Sequence, residues 1–144
     1  MPLIVEKIES GTVIDHIEAG RGLRVLLILG IDEGYKGRVA LVMNVPSKKI
    51  GRKDIVKIEG RHVDEKTANK IALIAPRASL NIVEHSNVVE KHMIRLQPVL
   101  VGIFKCPNPM CITNSEAVDS EFRVEDGGLR CKYCERVFKA EELI

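Results

Sequence analysis

Four cysteines, all within the final third of a 144-residue chain, constrain this sequence more than any other feature. Cys106 and Cys111 are separated by four residues, Cys131 and Cys134 by two, and nineteen residues lie between the pairs. Each pair sets a tight turn that points two sulfurs at one locus, and two such turns build a tetrahedral site for one Zn2+. Pro107 and Pro109 stiffen the first turn, and Lys105, Arg130 and Lys132 offset the negative charge of a zinc tetrathiolate. Two disulfides are the competing reading, which a reducing cytosol disfavours. With cysteine at all four positions the metal has no open coordination site, so it is structural and not catalytic.

The cysteines also divide the chain. Residues 98–144 hold all four, together with Phe104, Phe122, Tyr133 and Phe138, and leave Tyr35 as the single aromatic before them. Residues 1–97 carry 16 basic against 12 acidic side chains, whereas residues 98–144 carry 6 against 8. A piece of 47 residues cannot easily bury enough apolar surface to fold alone, and such pieces usually need a staple. Two domains are therefore expected, 1–97 and 98–144, with residues 95–98 as the linker. The net charge of +2 argues against a bulk nucleic-acid binder. No apolar run approaches the ~20 residues needed to span a bilayer, and no signal peptide is visible, so a soluble, cytoplasmic protein is expected.

Residues 1–97 alternate strand and helix signals in the order β-α-β-β-α-β-β. Residues 12–17 read as a β-branched strand, and 20–29 as a buried helix stopped by Gly30. Residues 38–45 are nearly continuously apolar, as in a central strand covered on both faces. Residues 55–63 alternate like a further strand, and Asp64 caps a helix over 65–71 that stops near Pro76. Residues 80–84 and 88–92 form a hairpin about His85-Ser86-Asn87. The expected fold class is α+β. An antiparallel sheet with two helices on one face (ferredoxin-like) precedes a small all-β zinc ribbon (rubredoxin-like).

Enzymatic signatures are missing: there is no phosphate-binding glycine loop, zinc-protease motif or nucleophile elbow. Asp15-His16 resembles an acid–base pair, but adjacent residues of a regular strand point to opposite faces. The run Lys48, Lys49, Arg52, Lys53, Lys57 is more informative. Lys53 and Lys57 share parity and hence a strand face, and Asn81 would stand opposite Lys91 across the hairpin. Three lysines and an amide on one face suit a phosphorylated ligand, and a solvated basic surface is the alternative.

Several blocks, taken together and in order, resemble one family across essentially the whole chain. G-T-V-I-D-H-I at residues 11–17 and V-P-S-K-K-I-G-R-K-D-I-V-K-I-E at 45–59 are similar to two blocks of the aspartate carbamoyltransferase regulatory chain. A-P-R-A-S-L-N-I-V at 75–83, C-P-N-P-M-C-I-T-N at 106–114 and C-K-Y-C-E at 131–135 complete the match. The resemblance implies a non-catalytic chain of the enzyme that makes carbamoyl aspartate for de novo pyrimidine biosynthesis. It implies homodimers formed through the N-terminal domain that bridge catalytic trimers, and a zinc domain that docks on the catalytic chain. It also implies CTP and ATP as effectors, with no nucleic-acid or membrane partner. Carried over residue by residue, the nucleotide positions are Val5, Glu6, Ile8, Asp15, His16, Lys53, Lys57, Asn81, Val83, Val88 and Lys91. Asp15 and the N-terminal segment would serve base and ribose, Lys57 the ribose side and Lys91 the phosphates. Lys7 replaces a small residue of the family pattern, and Ser86 stands where an aromatic can occur. A zinc-ribbon nucleic-acid-binding protein is the alternative function.

Overall fold

The computed structural model describes residues 9–144, so Val5, Glu6, Lys7 and Ile8 lie outside the described residues. The chain forms two compact units that divide between Arg95 and Leu96. The first contains β1 (Gly11–Glu18), α1 (Gly22–Ile28), β2 (Val39–Ser47), β3 (Gly51–Glu59), α2 (Glu65–Ile74), β4 (Ser79–Glu84) and β5 (Asn87–Met93). Its five strands pair antiparallel in the order β2-β3-β1-β4-β5. Each helix thus joins two strands that run the same way with a third strand between them, the split crossover of ferredoxin-like folds.

β3 alternates without interruption and shows why the sheet has two distinct faces. Asp54, Val56 and Ile58 are fully buried on one side, while Lys53, Ile55, Lys57 and Glu59 take the other. Ile14 and Leu80 pair with each other in the register of Val56, and Thr12 lies beside Ile58, so the covered face is continuous across three strands. Burying this apolar face beneath α1 and α2 is what stabilises the unit, at roughly 25 cal/mol per Å2 of apolar surface removed from water. The Asp64 side chain caps α2 as the sequence suggests, accepting from the Thr67 N–H at 2.7 Å. The helix then runs three residues further than expected, to Ile74, because Ile71, Ala72 and Ile74 are all buried.

Other elements depart from expectation. α1 is shorter than residues 20–29 and only one side of it is buried: Val25 is fully covered, whereas Leu23 is 57% and Leu27 69% exposed. It stops where expected. Gly30 takes a φ of 72°, and the N–H groups of Gly30 and Ile31 close onto the carbonyls of Leu27 and Leu26. β2 is an edge strand and not a central one, and Met43 and Asn44 are exposed in an irregularity of its pairing with β3. Pro46, which lacks the N–H that a further neighbour would need, fits an edge position. β3 starts earlier than expected and ends at Glu59, because Gly60 turns the chain with φ 71°.

The second unit is a four-stranded sheet, β6 (Val99–Val101), β7 (Glu121–Glu125), β8 (Gly128–Cys131) and β9 (Val137–Phe138), in that spatial order, with a short helix α3 (Ala140–Leu143). Its apolar core is small. Leu100, Phe104, Phe122 and Leu129 are buried, and Phe122 meets Phe104 and Phe138 edge-on with ring centroids 6.4 Å apart in both cases. Cys106, Cys111 and Cys131 are buried beside this core, with Asn108 and Ser120. No helix among the described residues is long and apolar enough to cross a membrane.

Candidate functional site

The sulfurs of Cys106, Cys111, Cys131 and Cys134 all lie within 4.8 Å of one another. Cys106 and Cys134 approach to 3.7 Å and Cys111 and Cys131 to 3.8 Å. Zn–S bonds of about 2.3 Å place the corners of a tetrahedron about 3.8 Å apart, so the cluster has the dimensions of a zinc tetrathiolate. The sulfurs stand well beyond disulfide bonding distance and are unpaired. Burial pushes the Cys106 thiol up to about 12. Burial also opposes ionisation of Cys111, but the Thr113 hydroxyl, donating to its sulfur at 3.2 Å, and the Thr113 N–H outweigh it and bring the thiol to about 7. Zinc, when bound, supplies the positive charge that holds all four as thiolates, and nothing in the donor set leaves a position for a reacting water. The four cysteines thus form a structural zinc centre, placed by one turn outside the sheet and one at the end of β8.

The first unit carries a different kind of site, on the sheet face opposite the helices. Register sets it out in rows. Lys57 pairs with Val13, Val13 with Asn81 and Asn81 with Lys91, so one row across four strands runs lysine, valine, asparagine, lysine. The neighbouring row contains Gly11, Val83 and Val88. On the other side Asp15 pairs with Ser79, and Lys53 reaches Asp15 with an Nζ–Oδ1 distance of 3.0 Å. Every expected effector position among the described residues except His16 therefore sits on this face, Val88 through an extra residue in β5 and the others by alternation. Asn81 is fixed there, its amide donating to the Val13 carbonyl at 3.3 Å. Lys57 and Lys91 have no ion pair among the described residues, whereas Lys53 is already paired.

His16 arrives by another route, and the expectation that Asp15 and His16 point apart is corrected. The β1–β3 register slips between Ile14 and Ile17, so two residues of β1 oppose one of β3, and His16 takes a φ of 59°. Such a bulge abolishes the alternation on which the expectation rested. His16 Nδ1 now lies 3.9 Å from an Asp15 carboxylate oxygen and 3.4 Å from the Ser79 hydroxyl, while Asp15 Oδ1 accepts the His16 N–H at 2.7 Å. Burial lowers the His16 pKa below its ordinary 6.5; Asp15 opposes this, and Lys53, Lys49 and Lys91 add to it. Burial alone would raise Asp15, but Lys53 and the His16 N–H hold its carboxyl below the usual 3.8. The imidazole is neutral at pH 7 among three lysines, a poor acid–base dyad and a good lining for an anion.

Sequence reasoning passed over Lys49 and Ser79 as site residues. Lys49 belongs to the basic run and lies in the turn between β2 and β3; Ser79, fully buried, carried no signal beyond its place at the start of a strand. The hairpin that sets Lys91 turns on His85 and Ser86, both with positive φ, and Ser86 N–H donates to the Glu9 carbonyl at 2.8 Å. The chain therefore enters β1 beside the hairpin tip.

The chain matches two family models. Residues 3–95 match the allosteric domain of the aspartate carbamoyltransferase regulatory chain, and residues 98–144 match its metal binding domain. Curated relatives with that name include one from Thermococcus gammatolerans, 52% identical across 99% of this chain and 96% of its own length. Another, from Saccharolobus solfataricus, is 55% identical across 99% of this chain and 92% of its own. A third, from Pyrococcus horikoshii, is 51% identical with coverage of 99% and 96%. With both units matched and relatives half identical along nearly the full length, the chain belongs to the aspartate carbamoyltransferase regulatory-chain family, a non-catalytic chain with an allosteric and a metal-binding domain.

Proposed function

We propose that this chain binds nucleotide effectors, CTP and ATP, on the helix-free face of its N-terminal sheet, and that it docks on aspartate carbamoyltransferase catalytic chains through its zinc unit. Residues 1–97 are the effector domain and 98–144 the docking domain of a cytoplasmic complex serving pyrimidine biosynthesis. The observation that carries the reading is the row Lys57–Val13–Asn81–Lys91, which sets two lysines without an ion pair among the described residues on strands three spacings apart, about 14 Å, on either side of an amide. Charged donors at that separation suit an extended ligand with a polyphosphate at one end and a sugar at the other, with Lys91 on the phosphates and Lys57 on the ribose side. Asp15, His16, Val83 and Val88 complete the lining, with Val5, Glu6 and Ile8 assigned to the base. Homodimers form through the N-terminal unit and bridge catalytic trimers. Leu23 and Leu27, exposed on α1 beside the β2 edge, support that assignment because they leave apolar surface uncovered in the single chain.

Calorimetry with CTP and ATP on Lys91→Ala and Lys57→Ala tests the nucleotide site. Each loss of a charge-assisted contact is expected to weaken binding by roughly 1.5–3 kcal/mol. Unchanged affinity in both variants puts the site elsewhere.

A further inference from the structure

The two halves of the zinc centre are held by different means. Cys131 ends β8, opposite Phe122, and its turn is tied by four further bonds. Cys131 N–H donates to the Arg136 carbonyl, Lys132 N–H to Glu121 and Glu135 N–H to Cys131, each at 2.9 Å, and Arg130 Nη1 donates to the Glu135 carbonyl at 2.8 Å. Cys106 and Cys111 belong to no strand. Pro107 and Pro109 have no N–H to give, so within 106–111 the backbone closes on a carbonyl through one bond, Cys111 N–H to Asn108 at 3.0 Å. Asn114 makes up the deficit. Its Nδ2 donates to the Cys106 carbonyl at 3.0 Å and to the Asn108 carbonyl at 2.7 Å, so both hydrogens of one amide clamp the loop across its mouth. Asn108, buried, reinforces the loop from within, its Oδ1 accepting the Met110 N–H at 3.0 Å.

We propose that Asn114 is a positioning residue of the zinc centre: its forked amide pre-organises Cys106 and Cys111, and so sets how tightly and how long the metal is held. Asn114 touches no sulfur and contributes no ligand. It acts on the free energy of arranging two ligands before the metal binds, the part of metal affinity that outer hydrogen bonds control. The sheet-bound pair, Cys131 and Cys134, is arranged regardless.

The test uses the full zinc-loaded chain. Zinc release into excess chelator is followed with a metallochromic indicator, and cobalt titration gives affinity and the visible spectrum. Asn114→Ala is expected to release zinc about 10–100-fold faster and to bind cobalt correspondingly more weakly, with the absorption bands of a four-thiolate cobalt site unchanged in position. Arg130→Ala, which removes one bond from the other turn and leaves its sheet bonds, is expected to stay within about threefold of the parent chain. Should Asn114→Ala fail to fold with metal, Asn114→Gln is read in its place; it keeps both donors on a longer arm, and its rate should rise between about threefold and tenfold over the parent. Release rates for the Asn114 variants within threefold of the parent, or an equal effect from Arg130→Ala, would overturn the proposal, as would a cobalt spectrum showing a lost ligand.

Discussion

In the C-terminal unit a core of Leu100, Phe104, Phe122 and Leu129 closes around four sulfurs; in the N-terminal unit a continuous apolar face packs beneath two helices, and no helix among the described residues covers the opposite face. The first arrangement spends its chemistry on staying folded. The second has enough buried surface to hold itself together and can leave charged side chains, Lys57 and Lys91 among them, on the face away from its helices. Yet the larger unit has a polar staple of its own. Asp54 is fully buried on the covered face, where Oδ2 accepts the Gly20 and Gly22 N–H groups at 3.0 and 2.9 Å and Oδ1 accepts the Asn44 N–H at 3.0 Å. One carboxylate thus ties the start of α1 and the irregularity of β2 to β3. Gly22 permits the approach, because a Cβ there would sit 2.6 Å from the Leu41 side chain and 2.9 Å from Asp54.

The largest expected effect breaks one unit and spares the other. Stripping zinc, or changing Cys131→Ser, should unfold residues 98–144, since structural zinc in small domains is worth about 10–16 kcal/mol and the apolar core here is too small to offset chain entropy without it. Amide spectra should then show residues 9–95 still folded and still binding nucleotide. A C-terminal sheet that survives removal of the metal would show that its core suffices.

The counterpart in the N-terminal unit is Asp54→Ala. It strands three N–H groups without their acceptor, at ~3 kcal/mol or more of stability. Chemical denaturation should report that loss while zinc content stays at one per chain. A change below ~1 kcal/mol would mean that water replaces the carboxylate.

The two sites differ as much in legibility as in chemistry. The zinc centre is written in local spacing, because each cysteine pair makes its own turn and only the meeting of two turns is left to the fold. The sheet site depends on register between strands far apart in the chain. Parity alone put Lys53 and Lys57 together, since β3 is regular. The pairing of Asn81 with Lys91 was anticipated from a hairpin centred on Ser86, but it comes about differently. The turn is a two-residue one at His85-Ser86, and an extra residue in β5 near Val89 shifts the register by one. The bulge at His16 ran the other way and overturned the reading of Asp15. Bulges have no dependable signature in a single sequence, and neither does the edge position of β2, whose apolar run reads as a buried strand. Asp54 was invisible for a related reason: it lies in a run of charges that looks solvated until alternation turns it inward.

A double-mutant cycle sharpens the contrast within the open face. Lys57 and Lys91 have no ion pair among the described residues and lie three strand spacings apart, so their effects on nucleotide affinity should add within about 0.5 kcal/mol. Lys53 is already paired with Asp15 at 3.0 Å, and Lys53→Ala is expected to cost less binding than Lys91→Ala. A larger loss at Lys53 would mean that the ligand displaces Asp15 as its partner.

The smallest effect concerns pH, and it too separates the units. His16 is held below its ordinary 6.5 and Asp15 below 3.8. For both, the unfolded chain takes up a proton at a higher pH than the folded chain, so stability is lost as pH falls. The His16 contribution is intact above 6.5 and declines below it towards the lowered folded value; that of Asp15 is intact above 3.8 and declines as pH falls through its own lowered value. Acid also releases zinc by protonating thiolates, so the readout must be confined to the N-terminal unit, and imidazole and amide resonances of that unit supply it. His16→Gln should flatten the decline that begins at 6.5 and leave the lower limb, and Asp15→Asn should do the reverse. Asp15→Asn should also lower the His16 titration further, because the carboxylate is what opposes burial and the lysines at that ring. An imidazole that titrates higher in Asp15→Asn would show that the bulge does not hold the two side chains together.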